Sequence, residues 1–478
     1  MSIAGTLEER LAAAESVAAA RGALAGERPA WIVGGAVRNA LLGAEVRDLD
    51  LAVEPGSEQG VARKLSGAAG GWVFPLSEEH ATWRAVAEDE RWHVDVTALR
   101  AGTIEADLAA RDFTLNAVAV PLPGGEPIDP TGGLGDAEAR LLRATSDGAF
   151  SADPLRLLRA ARLGSRYGLR IEPETARLAR AEAGRAGDPA GERQLAELRG
   201  ILAGPDPLGG LSLMDELGIT AAVLPELDGL RGVVQNPNHH LDVHGHTLAV
   251  LENLLELERE LPRYAGEAAG DVGDVLAEPL GDELTRGEAL RFGALLHDVG
   301  KPRTRSEQGG HVTFVGHDRV GAEIIAGICR RLKTSRRLSS YLQGLALHHL
   351  RLGFMVHRRP LAREAIYEYL SATEQVCVDV TLLTAADRQA ARGEGPLASE
   401  EMIEAHLALV REILPEAVSW HRTPPRPPLT GDELAAEVGL EPGRRMGEIL
   451  ERLRLAAFAG EVTDRSQAIE LARTLVEG

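Results

Sequence analysis

Asp48 and Asp50 stand two residues apart in the segment WIVGGAVRNALLGAEVRDLDLAV (31–53), the most informative stretch of the chain. In a strand, residues two apart share a face. Two carboxylates that close repel one another unless a cation lies between them, and oxygen-only ligands suit Mg²⁺. Upstream, Gly34 and Gly35 end an apolar run and open a helix. Bare backbone N–H groups and the helix dipole there can receive a phosphate, with Arg38 as a charged clamp. Asp-Leu-Asp alone is an ordinary strand end, and Gly-Gly alone an ordinary turn. Their order within one strand–helix–strand span is what reads as a cradle for nucleotidyl transfer.

The elements that must hold this cradle are legible as an α/β head. Residues 31–120 alternate helical pieces with short apolar strands: WIVGG, LDLAVE, GWVFPL, ATWRAVAE and WHVDVTAL. In the last, Asp95 alternates with Val94 and Val96 and so points to the opposite face from them, where it can join Asp48 and Asp50. Asp153 and Arg156 follow at i, i+3 in SADPLRLLRAARLGSRYGLRIEPET, on one face of a helix, where Asp153 beside Pro154 could cap the helix and pair with Arg156. Residues 160–235 are rich in apolar stripes at helical spacing and are assigned to core. The Gly-rich, acidic stretch 262–288 reads as an exposed insertion.

A second chemical signal lies further on. His297 and Asp298 are adjacent in the apolar segment ALLHDVGK, a costly arrangement without a cation. Imidazole with carboxylate suits Mn²⁺, Ni²⁺, Fe or Mg²⁺. His239, His240 and His244 are read as loop residues.

Composition bounds the rest. The chain has 478 residues, 44% of them hydrophobic, enough for about three domains with real cores and too apolar for disorder. No apolar run approaches the roughly 20 residues of a membrane span. Cys329 and Cys377 make no CxxC, and the N-terminus is acidic and amphipathic, so a cytoplasmic protein is expected. A net charge of −20 argues against a general nucleic-acid coat, since affinity for phosphate backbones comes from Lys and Arg. The stretch Ile324–Arg363 nevertheless contains no acid, while Arg330, Arg331, Lys333, Arg336, Arg337, Arg351, Arg358, Arg359 and Arg363 fall within it. It is expected to form a local basic face for RNA.

The order GGAVRN, LLG, DLD resembles the opening of the tRNA nucleotidyltransferase (CCA-adding enzyme) and bacterial poly(A) polymerase family, whose pattern is GGxVRD, LLG, DxD. The resemblance implies that Asp48, Asp50 and Asp95 are the catalytic acids, with Mg²⁺ held at Asp48 and Asp50. LAARDFTLNAVAV resembles the family's RRDFTxNA motif for the triphosphate and ribose, which carries Arg111, Asp112, Thr114 and Asn116 into the nucleotide site beside Gly34, Gly35 and Arg38. DPTGGLGDAEARLLR resembles its DxxGGxxD segment, through Asp129, Gly132, Gly133 and Asp136. The Asp153 segment resembles EDxxRxLRxxRF, in which Asp153 and Arg156 address the base and Arg159 and Arg162 continue the basic helix face. The chain departs from these patterns at Asn39, Ala110 and Ala152.

HTLAVLENL, ALLHDVGK, GHDRVGAEI, LALHHLRL and LLTAADRQAARG resemble, in order, the HD phosphohydrolase superfamily. That implies the metal ligands His246, His297, Asp298 and Asp387. His317 and His349 (or His348) are implied for a second metal or a phosphate, and Lys301 for a phosphate. The tail from Glu416, with Thr430 or Asp432 as an N-cap and GLEPGRRMGEIL, resembles a helical hairpin whose Gly turn meets RNA phosphate.

The expected fold class is α+β: an N-terminal α/β nucleotidyltransferase head (1–146), a helical nucleotide- and RNA-binding neck (147–235), an HD domain (236–415) and a C-terminal helical tail (416–478). The expected activity is template-independent transfer from CTP or ATP to a tRNA 3′ end, with a possible phosphohydrolase activity in the HD domain. Poly(A) polymerase is one alternative. An HD phosphohydrolase with a degenerate, RNA-binding head is the other.

Overall fold

The computed structural model describes residues 3–26, 29–77 and 81–477. They fall into two units, Met1–Val223 and Leu224–Gly478.

Each of the five apolar runs of the head forms a strand: β1 (Ala30–Val33), β2 (Leu49–Val53), β3 (Trp72–Ser77), β4 (Thr82–Val86) and β5 (His93–Ala98). A short β6 (Val120–Pro121) completes a sheet of order β3-β4-β5-β2-β1-β6. Within this sheet, among the described residues, only β2 and β5 pair in parallel, because the helix Glu58–Ala68 and the β3–β4 hairpin intervene between them. One face of the sheet carries Leu49, Leu51, Ala85, Val94 and Val96, all fully buried, and the helix Glu58–Ala68 packs on this sheet through Ala62 and Leu65. The other face carries the acids, as the alternation requires.

The neck residues of this unit are helical. The helix Leu155–Tyr167 buries Leu157, Leu158, Ala161 and Leu163 and ends at Gly168 in the left-handed region. The helices Gly191–Leu202 and Pro207–Glu216 pack against it.

In the second unit, the helices Val243–Arg259, Arg286–Leu296, His317–Leu332, Arg336–His348 and Cys377–Ala390 surround a buried polar centre. A capping box of Thr285 and Glu288 starts the second of them. The stretch 262–288 is not an exposed insertion. It forms the helices Leu261–Ala265 and Ala269–Ala277 and a small hairpin, with Tyr264, Val272, Val275, Leu280 and Leu284 buried. Its glycines mask an i, i+3 apolar pair, Val272 and Val275, that packs as an ordinary helix face.

The expected boundary at 415/416 falls inside the helix Glu400–Arg422. Beyond it, Gly431–Val438, Arg444–Ala459 and Arg465–Glu477 share a small core of Leu434, Met446, Ile449, Leu453, Ala456, Ala468 and Ala472. Thr430, rather than Asp432, caps the first of these helices through a box with Glu433.

Candidate active sites

The head's acids are arranged by strand register. Asp50 on β2 lies directly opposite Asp95 on β5, and Asp95 directly opposite Arg84 on β4, so all three share one face of the sheet. Burial pushes the Asp50 carboxyl up, and the charge of Asp95 pushes it further. A cation at this point would relieve both effects, and the donors on offer are all carboxylate oxygens, so the pair fits a hard divalent ion. Arg84 supplies positive charge there already: its Nε and Nη2 each donate at 2.7 Å to one oxygen of Asp95. Sequence reasoning missed this arginine, whose only signal was its alternation in ATWRAVAE.

Asp48 is placed differently from the expectation. β2 begins at Leu49, so Asp48 precedes the strand, and its exposed carboxylate meets His93 Nε2 at 3.1 Å. The spacing rule for residues two apart requires both to lie within the extended segment, which the bend at Asp48 ends.

A cavity of about 540 Å³ opens beside Asp50. It is lined by Gly34, Gly35, Arg38, Arg111, Asp112, Asn116, Asp153, Arg156, Arg159 and Arg162, and the sequence missed Arg100, Asp107 and Arg193. Asp48 and Asp95 are not part of its lining. Seven arginines against four aspartates make it cationic within an acidic chain, as a triphosphate site needs to be.

Gly34, at φ +65°, caps the helix Gly35–Leu42, and a side chain there would crowd Asp50 Oδ2 at 3.1 Å and Arg111 Nη1 at 3.2 Å. The Gly35 N–H donates to Asp50 Oδ2 at 3.2 Å, so the glycine turn fixes the Asp50 carboxylate as well as opening the helix. Arg38 donates to Asn116 Oδ1 and Asn39 Oδ1, each at 2.9 Å. Asn39 also accepts from Tyr167 Oη at 2.8 Å and donates from Nδ2 to the Glu45 carbonyl at 3.1 Å. An ionised Asp lacks that donor, so the departure at this position has a hydrogen-bonding use.

Burial pushes the Asp112 carboxyl up, but the Arg159 guanidinium at 2.9 Å and hydrogen bonds from Asn116 and Phe113 more than offset it and hold it low. Arg159 and Arg162 both pair with Glu197, at 3.2 and 2.5 Å. Arg111 pairs with Asp107 at 3.1 Å. Thr114 Oγ1 donates to Asp136, which also pairs with Arg143, while Asp129 accepts from the Gly133 and Leu134 N–H groups.

Asp153 and Arg156 line the cavity together but make no i, i+3 pair. Asp153 precedes the helix, accepts the Leu155 N–H at 3.2 Å and pairs with Arg193 at 2.9 Å. Arg156 donates to the carbonyls of Ala110, Arg111 and Ala149.

In the second unit two ligand groups adjoin: His246, His297 and Asp387, then Asp298, His317 and His349. Asp298 lies between them, 3.2 Å from His297 Nε2 and 3.4 Å from His317 Nε2. His297, His317 and His349 each turn Nδ1 to a backbone carbonyl, of Ala294, Phe314 and Ala346, at 2.8, 2.7 and 2.7 Å. Carbonyls only accept, so each Nδ1 carries a proton and each Nε2 is turned to the centre. The Nε2 atoms of His317 and His349 then face one another at 3.2 Å, two lone pairs that need a cation or a proton between them. His297 Nε2 and both oxygens of Asp298 are buried without a directed hydrogen bond. Burial pushes His349 down to about 4, leaving it neutral at pH 7 as a ligand must be. Burial raises the Asp298 carboxyl, yet His297 and Lys301, the latter 2.6 Å away, bring it well below the usual range. The donor set fits divalent metal.

The structure also decides between neighbours. His349 is buried in the cluster, whereas His348 bonds Arg351 outside it. His239 packs against His246 with ring centroids 4.7 Å apart and lines a cavity of about 580 Å³ with Asp298, Lys301, His317, His349 and Asp387. Burial pushes it down to about 3. His244 is not in a loop: it lies buried in the helix Val243–Arg259. The acid-free stretch is not of one sign in space, because Arg331, Arg359 and Arg363 pair with Glu226, Glu412 and Glu416.

Comparison with known proteins agrees with this layout. The Poly A polymerase head domain model matches residues 30–143, the probable RNA and SrmB-binding site of polymerase A matches 168–230, and the HD domain matches 243–392. An A-adding tRNA nucleotidyltransferase of Deinococcus radiodurans is 36% identical over 92% of this chain and 94% of its own. The chain belongs to the tRNA nucleotidyltransferase and poly(A) polymerase family. It is a nucleotidyltransferase that also carries an HD domain. Other relatives are a CC-adding tRNA nucleotidyltransferase of Thermus thermophilus, 32% identical over 92% of each chain, and a multifunctional CCA protein of Xanthomonas campestris, 33% identical over 90% of this chain and 98% of its own. Among solved structures, a CCA-adding enzyme with CTP has a TM-score of 0.62 at 21% identity, covering 100% of this chain and 99% of its own. The Thermotoga maritima CCA-adding enzyme complexed with tRNA has a TM-score of 0.59 at 20% identity over the same shares. These two share the fold. Among the described residues no helix is long and apolar enough to cross a membrane.

Proposed function

We propose that the head transfers nucleotides from CTP or ATP to the 3′ end of tRNA without a nucleic-acid template. The observation that carries this reading is the cationic cavity ending at Asp50, with Asp95 beside it in register. Asp50 and Asp95, with Asp48 once it leaves His93, would hold Mg²⁺, which would supply Lewis acidity toward the attacking 3′-hydroxyl and the charge of the departing pyrophosphate. The chain does the rest by positioning. Arg38 and Arg111 flank the glycine turn, where their donors meet phosphate oxygens. Asn116, fixed by Arg38 and Asp112, presents an amide to the ribose. Asp153 with Arg193 and Arg156 offers an acceptor and fixed donors to the Watson–Crick edge of a base, so that protein stands where a template base would. Arg159 and Arg162, tied to Asp112 and Glu197, fix the wall behind them.

The matches over 30–143, 168–230 and 243–392 support the division into head (1–146), neck (147–235), HD domain (236–415) and tail (416–478). The test is incubation with tRNAs truncated by one, two or three 3′ nucleotides and each nucleoside triphosphate, followed by sequencing of products. CTP and ATP incorporation at those ends is expected. Untemplated runs of A on unrelated RNA would favour the poly(A) reading, and no incorporation would refute transfer.

The paired histidine–aspartate groups favour a second activity, metal-dependent hydrolysis of phosphoesters in the HD domain. His246, His297, Asp298 and Asp387, with His317 and His349, would hold Mn²⁺, Ni²⁺, Fe or Mg²⁺, and Lys301 would meet substrate phosphate. Metal analysis and hydrolysis of 2′,3′-cyclic nucleotides test it. Protein that takes up no divalent metal and cleaves no phosphoester would leave these histidines structural.

A further inference from the structure

The catalytic row does not stop at Arg84. Arg84 on β4 lies directly opposite Phe74 on β3, so Phe74, Arg84, Asp95 and Asp50 form one line across four strands on one face of the sheet. Trp72 lies two residues along β3 from Phe74 and on the same face. The opposite face is buried at Leu49, Leu51, Ala85, Val94 and Val96, whereas this one opens progressively: the side chains of Asp95 and Arg84 are 17% and 29% exposed, Phe74 39% and Trp72 43%. Exposed aromatic residues on an edge strand invite aggregation unless they have a use.

We infer that Trp72 and Phe74 form a stacking ledge for the unpaired nucleotides at the 3′ end of the RNA substrate. The inference rests on the tRNA-extending reading above. Strands lie about 4.8 Å apart, so Phe74 stands about 10 Å from the Asp95 strand and about 14 Å from the Asp50 strand. RNA whose terminal hydroxyl reaches the acids has its preceding nucleotides within that range. Side chains two residues apart on a strand are separated by about 7 Å, twice the roughly 3.4 Å stacking repeat, which leaves room for one flat base between two rings. Unpaired RNA ends are recognised in this way, by splayed bases on aromatic side chains. The strand contributes no cation of its own, and Arg84 is committed to Asp95, so the contact is to bases and the phosphates are left to the arginine-lined cavity.

The test is steady-state kinetics of Trp72→Ala/Phe74→Ala on whichever truncated tRNA the wild type extends, and on the same tRNA made abasic at each unpaired position in turn. The double variant should raise KM for intact tRNA at least fivefold, on the order expected for one lost base stack. Its kcat and its KM for the nucleoside triphosphate should stay within about twofold. On tRNA abasic at the stacked position, wild type and variant should have equal KM. Trp72→Phe/Phe74→Tyr should restore the wild-type KM and shows that rings, rather than folding, are what was lost. An unchanged KM for intact tRNA, or an equal rise on every abasic tRNA, overturns the ledge. A wild type that extends no tRNA refutes the proposed function instead, and is seen before any variant is made.

Discussion

Replacing Arg159 by Ala should destabilise the first unit strongly, because Arg159 is what makes a buried Asp112 tolerable. Asp112 is 7% exposed, and its carboxylate meets Arg159 Nη1 at 2.9 Å. Breaking a buried ion pair from one side costs about 3–5 kcal/mol, since the partner charge is left uncompensated. Asp112 keeps two hydrogen bonds, from Asn116 Nδ2 and the Phe113 N–H, and Glu197 keeps Arg162. The low end, about 3 kcal/mol, is therefore expected. At a urea m-value of about 3 kcal/mol per molar, the midpoint should fall by about 1 M. Tryptophan fluorescence reads the right unit, since Trp31, Trp72, Trp83 and Trp92 lie in it and only Trp420 lies in the other. The double variant Asp112→Asn/Arg159→Ala should recover a large part of the loss, because no buried charge is then stranded. A midpoint unchanged in Arg159→Ala, or a double variant that loses the sum of its two singles, would refute the reasoning and leave Arg159 free to serve the nucleotide alone.

Asp50→Asn should lower nucleotide incorporation by several orders of magnitude with an unchanged urea midpoint, since it removes the charge proposed to hold Mg²⁺ and keeps the shape; incorporation within tenfold of wild type would contradict it. Arg84→Gln should tighten binding of Mn²⁺ to the head, read by paramagnetic resonance, because a divalent ion no longer competes with the bidentate guanidinium for Asp95. Weaker binding would show that Arg84 holds Asp95 ready for the metal. His297→Ala/Asp298→Ala should abolish divalent-metal uptake by the HD cluster and phosphoester hydrolysis while tRNA extension persists within about threefold; loss of extension would show that the two sites depend on each other.

Local periodicity and residue chemistry told a great deal. The alternation in WHVDVTAL put Asp95 on the face opposite Val94 and Val96, and the order of GG, Arg and DLD marked the cradle. The ordered histidine and aspartate segments marked a second centre. These features are written within single elements, where side-chain direction follows from a period of two or 3.6 residues. Partners on different elements are not written that way. Arg84 reaches Asp95 only because β4 and β5 pair in one register, and Asp153 finds Arg193 40 residues away instead of Arg156 three away. His349 rather than His348 enters the centre because the turn of the helix end decides it. Arg331, Arg359 and Arg363 lose their free charge to acids brought from Glu226, Glu412 and Glu416. The sequence by itself determined which side chains have the chemistry and which face of its own element each occupies. Tertiary structure alone decided which of them meet, because register and packing are set by the burial of many apolar residues at once and not by the charged residues that they bring together.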